Sequence, residues 1–173
     1  MEDEKKLLGS IEISEKIIEE TAKDIKNIAD FKKKIGEYLL QNTTELLDVI
    51  LNGSVALDVS DIHIEPQEND AKLRIRLDGI LQDIVLFDHE VYHHLTSRLK
   101  LLSKLKLNIT DKPQDGRFTI KINETFIEVR TSSLPAEYGE SMVMKILNPK
   151  NLIGLEDLGI REDLYKIFQK ILR

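Results

Sequence analysis

Two arginines with the spacing of strand neighbours are the first candidates for chemistry in this sequence. Arg74 and Arg76 alternate with apolar residues over 73–77, an alternation typical of a β-strand with both guanidinium groups on one face. Residues two apart on a strand lie about 7 Å from each other, so this pair could clamp a phosphate or a carboxylate. A solvated polar face explains the same pattern and is the simpler explanation when the pair is considered alone.

A basic segment over residues 90–121 is the second candidate. It holds seven basic and three acidic residues, a local charge of +4 in a chain whose net charge is -6. An anion site explains this, and so does a solvated helix face. Nucleic-acid binding would call for aromatic side chains that stack on bases, and the segment offers only Tyr92, Phe118 and two histidines. We therefore predict no nucleic-acid partner.

A third candidate is the run of Asp61, His63 and Glu65, which share one face of a predicted strand. A metal or acid–base cluster would use such residues, but the polar side of a half-buried strand has the same alternation. His93 and His94 are adjacent on a predicted helix and point about 100° apart, which makes joint chelation poor. No catalytic triad and no metal site are predicted.

Composition excludes several further classes of protein. The 173 residues contain no cysteine, which excludes disulfides, thiolate metal sites and cysteine nucleophiles. Neither G-x-x-x-x-G-K-[ST] nor G-x-G-x-x-G occurs, so no standard phosphate-binding loop is encoded. No stretch approaches the roughly 20 apolar residues of a membrane-spanning helix, and the acidic start lacks the features of a signal peptide. We expect a soluble, cytoplasmic protein.

The elements that position these residues begin with a helical region over 1–57. No proline precedes Pro66, and Ile18, Ala22, Ile25 and Ala29 recur at helical spacing. Residues 1–52 hold 8 lysines and 12 acids, a charge of -4. We interpret 1–42 as an acidic helical appendage, followed by a second helix over about 43–57.

From residue 61 the apolar period changes from helical to two. Strands are predicted over 61–66, 72–77, 80–87, 118–122, 126–131 and 142–147, with helices over 89–107 and 161–173 and a connector over 149–160. Asp78-Gly79 is a strong hairpin signal, and Asp115-Gly116 and Asn123-Glu124 are also predicted as turns. The order predicts an α+β fold, in which a mixed or antiparallel sheet is covered by helices on one face.

Five short motifs, taken together, resemble a known family. Their order and spacing over about 43–173 are similar to the N-terminal domain of the type II secretion and type IV pilus assembly ATPases. The motifs are S-D-I-H-I-E-P at 60–66, R-I-R-L-D-G at 74–79, S-R-L-K at 97–100, P-Q-D-G-R at 113–117, and R-T-S-S-L-P at 130–135 with G-E at 139–140.

The resemblance implies a PAS-like domain placed before a RecA-like motor domain. On this basis 1–42 is the appendage, 43–150 the PAS-like domain, and 151–173 a linker and the start of a helix leading to the motor. The chain would then be truncated before the Walker motifs and inactive alone, with no cofactor of its own, whereas the full-length protein would use ATP and Mg. The family's members are cytoplasmic hexamers docked on an inner-membrane platform. Expected partners are the motor domain, neighbouring subunits and the platform protein through the N-terminal helices.

Arginines of this domain approach the nucleotide phosphates in the family. The resemblance assigns that role to Arg76, Arg98 and Arg117, with Arg74 and Arg130 as possible supporting residues. It assigns no catalytic residue and no metal ligand. A free-standing PAS-like module that senses an anion, or that acts as an adaptor, is the alternative function.

The sequence departs from the family pattern at two sites near these arginines. Lys145 occupies a position in the last strand where arginine is usual, so a bidentate contact there would be lost. The basic stretch before Pro113 is about two residues short, which bears on the position of Arg117.

Overall fold

The computed structural model describes residues 9–41, 45–151 and 154–171. In these ranges the chain forms seven strands, five α-helices and two short 3-10 helices at Pro149–Asn151 and Leu155–Leu158. The strands are β1 (Ser10–Glu12), β2 (Asp61–Pro66), β3 (Ala71–Leu77), β4 (Ile80–Phe87), β5 (Gln114–Ile122), β6 (Thr125–Ala136) and β7 (Gly139–Leu147). The helices are α1 (Glu15–Asp24), α2 (Ile28–Gln41), α3 (Leu46–Ala56), α4 (His89–Leu102) and α5 (Glu162–Ile171).

All seven strands belong to one sheet, in the order β1-β5-β6-β7-β2-β3-β4. Only the β1–β5 pair is parallel, and the other neighbours are antiparallel. This confirms the predicted α+β class with a mixed sheet. One face of the sheet packs against helices, and no helix of the described ranges covers the other, which we call the open face.

The alternation that predicted the strands is the alternation of burial. Ile62 and Ile64 of β2 and Leu73 and Ile75 of β3 are all fully buried, whereas the residues between them are partly exposed. Burying each such side chain stabilises the fold by about 1.5–3 kcal/mol before entropy is counted. The apolar side of α4 covers these strands, with Leu95, Leu99 and Leu102 buried.

The N-terminal region differs from its prediction as an acidic appendage. Residues 10–12 form an edge strand, because Ile11 and Ile13 alternate with polar residues and pair along β5. Ile17 of α1 and Phe31 of α2 join the same buried cluster as the sheet. Of the residues at the predicted helical spacing, Ile18 and Ile25 pack against the core, whereas Ala22 and Ala29 are exposed.

Two of the predicted turns are confirmed and one is wrong. Asp78 and Gly79 have φ of 50° and 79°, the positive values that a tight hairpin requires, and Asn123 has φ of 51°. Asp115 and Gly116 instead lie inside β5. A Cβ at Gly116 would collide with the backbone carbonyl of Ser103, so this glycine permits the close approach of the end of α4 to the strand.

A charged cluster ties α1 to α2. The Lys34 ammonium lies 2.8 Å from Asp24 and 2.9 Å from Glu20, and the Tyr38 hydroxyl donates to Glu20 at 2.9 Å. The hydrogen bonds from Lys34 hold the pKa values of both carboxyls below their ordinary range. Burial of the Tyr38 hydroxyl and its hydrogen bond to Glu20 raise the pKa of Tyr38 to about 12. Burial opposes the charge on Lys34, but the two carboxylates outweigh it and raise its pKa.

Because of this cluster, we expect the free energy of unfolding to fall in acid. A carboxyl with a lowered folded pKa stabilises the fold above its unfolded pKa and loses that contribution as the pH falls through the folded value. We therefore expect Lys34→Met to flatten the decline of unfolding free energy below about pH 4.5, measured by urea unfolding at a series of pH values. Lys33→Met, on the exposed side of α2, is the matched control. An unchanged acid slope in Lys34→Met would contradict this role.

Candidate functional site

A single row of side chains crosses the open face of the sheet. The ladder register places Arg117 of β5 beside Arg130 of β6, and Arg130 beside Lys145 of β7. Lys145 in turn lies beside Asp61 of β2, which lies beside Arg76 of β3. Neighbouring strands are about 4.8 Å apart, so Arg117 and Lys145 start about 10 Å from each other. We call Arg117, Arg130 and Lys145 the basic row.

Charges at the β2–β4 side of this face are balanced. Arg76 lies 3.2 Å from Asp61 and donates to the carbonyl of Gly79 at 3.2 Å. Arg74 lies 2.8 Å from Asp83, which also accepts an ion pair from Lys72 at 3.0 Å. The first candidate pair, Arg74 and Arg76, is therefore engaged by carboxylates on adjacent strands.

The basic row itself is not balanced. Among the described residues, neither Arg117 nor Lys145 forms an ion pair or a side-chain hydrogen bond. Arg130 has one ion pair, at 3.3 Å with Glu128, and its side chain is 68% exposed. Like charges directly opposite each other on neighbouring strands destabilise a sheet. An anion seated across the row would relieve that repulsion.

Arg98 is not part of this arrangement. It lies on α4, in the helix layer on the opposite face of the sheet, and its guanidinium contacts the Asp48 carboxylate of α3 at 2.7 Å. Burial raises the pKa of Asp48 more than the charge and hydrogen bond of Arg98 lower it. The structure therefore brings Arg76, Arg117 and Arg130 to one face and leaves Arg98 holding α4 to α3.

A buried polar clasp fixes the strands that carry the row. Lys100 of α4, only 2% exposed, lies 2.6 Å from the Glu140 carboxylate and donates to the carbonyl of Ile109 at 2.7 Å. The Ser133 hydroxyl donates to the second Glu140 oxygen at 2.5 Å. Gln114 holds the same loop, because its amide donates to the Ile109 carbonyl at 2.9 Å. These contacts join α4, the loop before β5 and the β6–β7 hairpin.

Lys100 and Glu140 both lie within the motifs that resemble the family, but their buried ion pair was not predicted from the sequence. The sequence did contain a signal for this pair, because Glu140 has the same alternating, inward-facing position in β7 as Met142, Met144 and Ile146. A carboxylate at an inward strand position needs a buried partner, and Lys100 on the inner side of α4 supplies it.

The Asp61, His63 and Glu65 run behaves as the polar side of a strand. His63 Nδ1 lies 3.7 Å from Glu65, and burial lowers the pKa of His63 despite the neighbouring carboxylates. In the part of the chain that the structure describes, no group of three metal-ligating side chains occurs. The same ranges contain no helix long and apolar enough to cross a bilayer.

The helix-covered sheet, the buried clasp and the row of cations on the open face together define an α+β module with one basic face. Comparison with known proteins identifies the family. The model of the family described as "Type II/IV secretion system protein" matches residues 39–173, and the chain belongs to this family.

Individual relatives agree with the family match. The chain is 38% identical over 137 residues to the type IV pilus assembly ATPase TfpB of Acinetobacter baylyi, a match covering 77% of this chain and 23% of the relative. It is 36% identical over 118 residues to the type II secretion system protein E of Dickeya dadantii, covering 68% of this chain and 24% of the relative. It is 31% identical over 131 residues to the type II secretion system ATPase E of Vibrio cholerae, covering 75% of this chain and 26% of the relative. The match thus spans about a quarter of each relative.

Proposed function

We propose that this chain is the regulatory and coupling domain of a hexameric ATPase that drives type II secretion or type IV pilus assembly. The observation that carries the proposal is the basic row, three neighbouring cations on an uncovered sheet face without enough carboxylates to balance them. The family match and the names of the relatives supply the context of an ATPase. The ligand of the row would be the phosphates of ATP, held with Mg by a motor domain.

The row suits a polyphosphate in both charge and geometry. A guanidinium is always charged and donates in a planar fork that matches phosphate oxygens, whereas the Lys145 ammonium acts as a point charge. Phosphoryl transfer develops charge that positioned cations stabilise. Because the ladder and the clasp hold the strands that carry the row as one unit, a rigid rotation of this domain would bring the three side chains to the phosphates together or withdraw them together.

The positions of the predicted arginines change which of them we propose as phosphate contacts. Arg117 and Arg130 are our primary phosphate contacts, and Lys145 joins them. Arg76 extends the row but must leave Asp61 to reach a ligand, and Arg74 is held by Asp83 in the same way. Arg98 is paired with Asp48 on the helix-covered side of the sheet, so we assign it a structural role in place of a phosphate contact.

Surface features support the expected partners. The apolar side of α5 faces solvent, with Leu164, Ile167 and Phe168 44–53% exposed, which fits a helix covered by the motor domain of the same chain. The N-terminal helices bury most of their large apolar residues in the core, with Leu40 of α2 exposed, so a contact with an inner-membrane platform protein would mainly use their charged surface. The domain would then lie in the cytoplasm, at the membrane through its partners.

The test uses the full-length ATPase that the proposal assumes. Arg130→Gln should lower kcat for ATP hydrolysis by at least about tenfold, since it removes charge that the transition state needs. Arg76→Gln should have a smaller effect, because Arg76 is already engaged by Asp61. Lys72→Gln, on the balanced side of the same face, controls for the loss of one positive charge. Wild-type turnover in Arg130→Gln, with an intact fold by circular dichroism, would remove the assigned role.

The alternative, a free-standing module that senses an anion, would use the same row. Titration of the 173-residue chain with pyrophosphate distinguishes the two functions. Tight binding that Arg130→Gln abolishes favours the sensor, and weak binding favours a row that works only beside a motor domain.

A further inference from the structure

A groove of about 600 Å³ lies away from the basic row, on the helix-covered side of the molecule. Its walls come from α1, the C-terminal end of α3, the end of β5 and the segment that follows β7. The volume is within the range of small-molecule sites. Ile18, Val55, Leu57 and Ile122 give it an aliphatic lining, and no aromatic side chain is among the described lining residues.

Two buried polar side chains in the groove wall lack satisfactory partners. Thr21 is 1% exposed, and its hydroxyl has no hydrogen-bond partner in the described part of the chain. Asn52 is 5% exposed, and its only side-chain hydrogen bond among the described residues is a long one, 3.4 Å from its amide nitrogen to the carbonyl of Ile17. Buried polar groups are nearly always paired, so unsatisfied ones in a cavity wall point to a ligand.

The charged residues of the groove leave it basic. Lys26, just after α1, and Lys150, in the segment after β7, form no side-chain ion pair within 9–41, 45–151 and 154–171. Asp58, the single acid among the described lining residues, already accepts a hydrogen bond from the amide of Asn151 at 2.8 Å. The groove therefore combines two available cations with an aliphatic wall.

We infer that this groove binds a small organic anion with an aliphatic body, its acidic group near Lys26 and Lys150 and its hydrocarbon part against the wall. The Thr21 hydroxyl and the Asn52 amide would donate hydrogen bonds to oxygen atoms of the ligand. A bare inorganic anion would leave the apolar wall unused, and a neutral amphiphile would leave the two ammonium groups without a partner.

Binding there would couple two parts of the chain. Lys26 follows α1, whereas Lys150 and Asn151 belong to the segment that leaves the sheet after β7. A ligand held by both sides would fix that segment against α3, where the bond between Asn151 and Asp58 already attaches it. The site is independent of the basic row, which lies on the open face.

The probe for this site is octanoate, compared with octan-1-ol and with inorganic phosphate. Each is titrated into the ¹⁵N-labelled 173-residue chain while backbone amide shifts are followed. We expect saturable shifts at Ala22, Asn52 and Ile122 with octanoate, and weaker or no binding with the other two probes. Lys26→Gln and Lys150→Gln should each weaken octanoate binding about tenfold, the value of a charge-assisted contact.

Lys23→Gln is the matched control, because Lys23 is an exposed lysine in the last turn of α1 and does not line the groove. Arg130→Gln separates this site from the basic row, since it should leave octanoate binding unchanged whatever it does to ATP turnover. The inference is overturned if octanoate produces no saturable shifts at the groove. Equal binding of octan-1-ol, or equal weakening by Lys23→Gln and Lys26→Gln, would overturn it as well.

Discussion

Replacing Glu140 with alanine should lower the free energy of unfolding by about 3–5 kcal/mol, the cost of leaving one member of a buried ion pair alone. The Glu140 and Lys100 side chains are 9% and 3% exposed, and their charged atoms lie 2.6 Å apart. Without the carboxylate, Lys100 keeps only the carbonyl of Ile109, and the Ser133 hydroxyl loses its acceptor. Urea unfolding followed by circular dichroism measures the loss.

Glu128→Ala is the control for this variant. Glu128 pairs with Arg130 at 3.3 Å on the exposed face, where an ion pair contributes at most about 1 kcal/mol. Similar losses in the two variants would show that the buried pair has no special weight. The double change Lys100→Met with Glu140→Leu should recover much of the loss, because an apolar pair of similar volume avoids burying charge.

Gly116→Ala should be the second large effect, with a loss of about 3 kcal/mol. The new methyl group would collide with the Ser103 carbonyl and lie 2.8 Å from Leu105 Cδ2. The carbonyl is backbone at the end of α4, so relief requires α4 or β5 to shift. Either shift would also disturb Arg117, the next residue of β5 and a member of the basic row.

Gly36→Ala, in contrast, should stabilise the protein. In the described part of the chain no heavy atom outside its own helix lies within 4 Å of a Cβ at this position of α2, so alanine should raise stability by about 0.5–1 kcal/mol. Thermal unfolding of the two variants compares them directly. A Gly116→Ala protein as stable as the wild type would mean that the approach of α4 to β5 is not tight.

Local patterns were sufficient for most elements but not for their assembly. The change of period near residue 61 and the Asp78-Gly79 turn predicted the strands of the β2–β4 meander. The start of helix α4 at His89 was predicted correctly. The helix ends at Leu102, earlier than expected, because Lys104 adopts a positive φ of 60°. Asp115-Gly116 was misread as a turn, because the same dipeptide serves hairpins and close backbone contacts.

The basic row could not be predicted from local patterns. It depends on β7 pairing with β2, where Lys145 meets Asp61, and neighbouring residues carry no signal for a pairing so distant in sequence. The motifs placed Arg76 first among the candidates and Arg98 and Arg117 after it, because motif spacing does not tell which arginines have carboxylate partners. The ion pairs with Asp61 and Asp48 distinguish Arg76 and Arg98 from Arg117, and the register places Arg117 beside Arg130.

The three-residue strand β1 has a consequence for solubility. It pairs along the outer side of β5, and Lys121 anchors it through an ion pair of 2.6 Å with Glu12. A long strand with an unpaired edge is a template for association with other chains. By occupying part of that edge with a short, charged strand, the protein limits edge-to-edge aggregation. We therefore expect residues 10–12 to matter more for resistance to self-association than for the stability of the core.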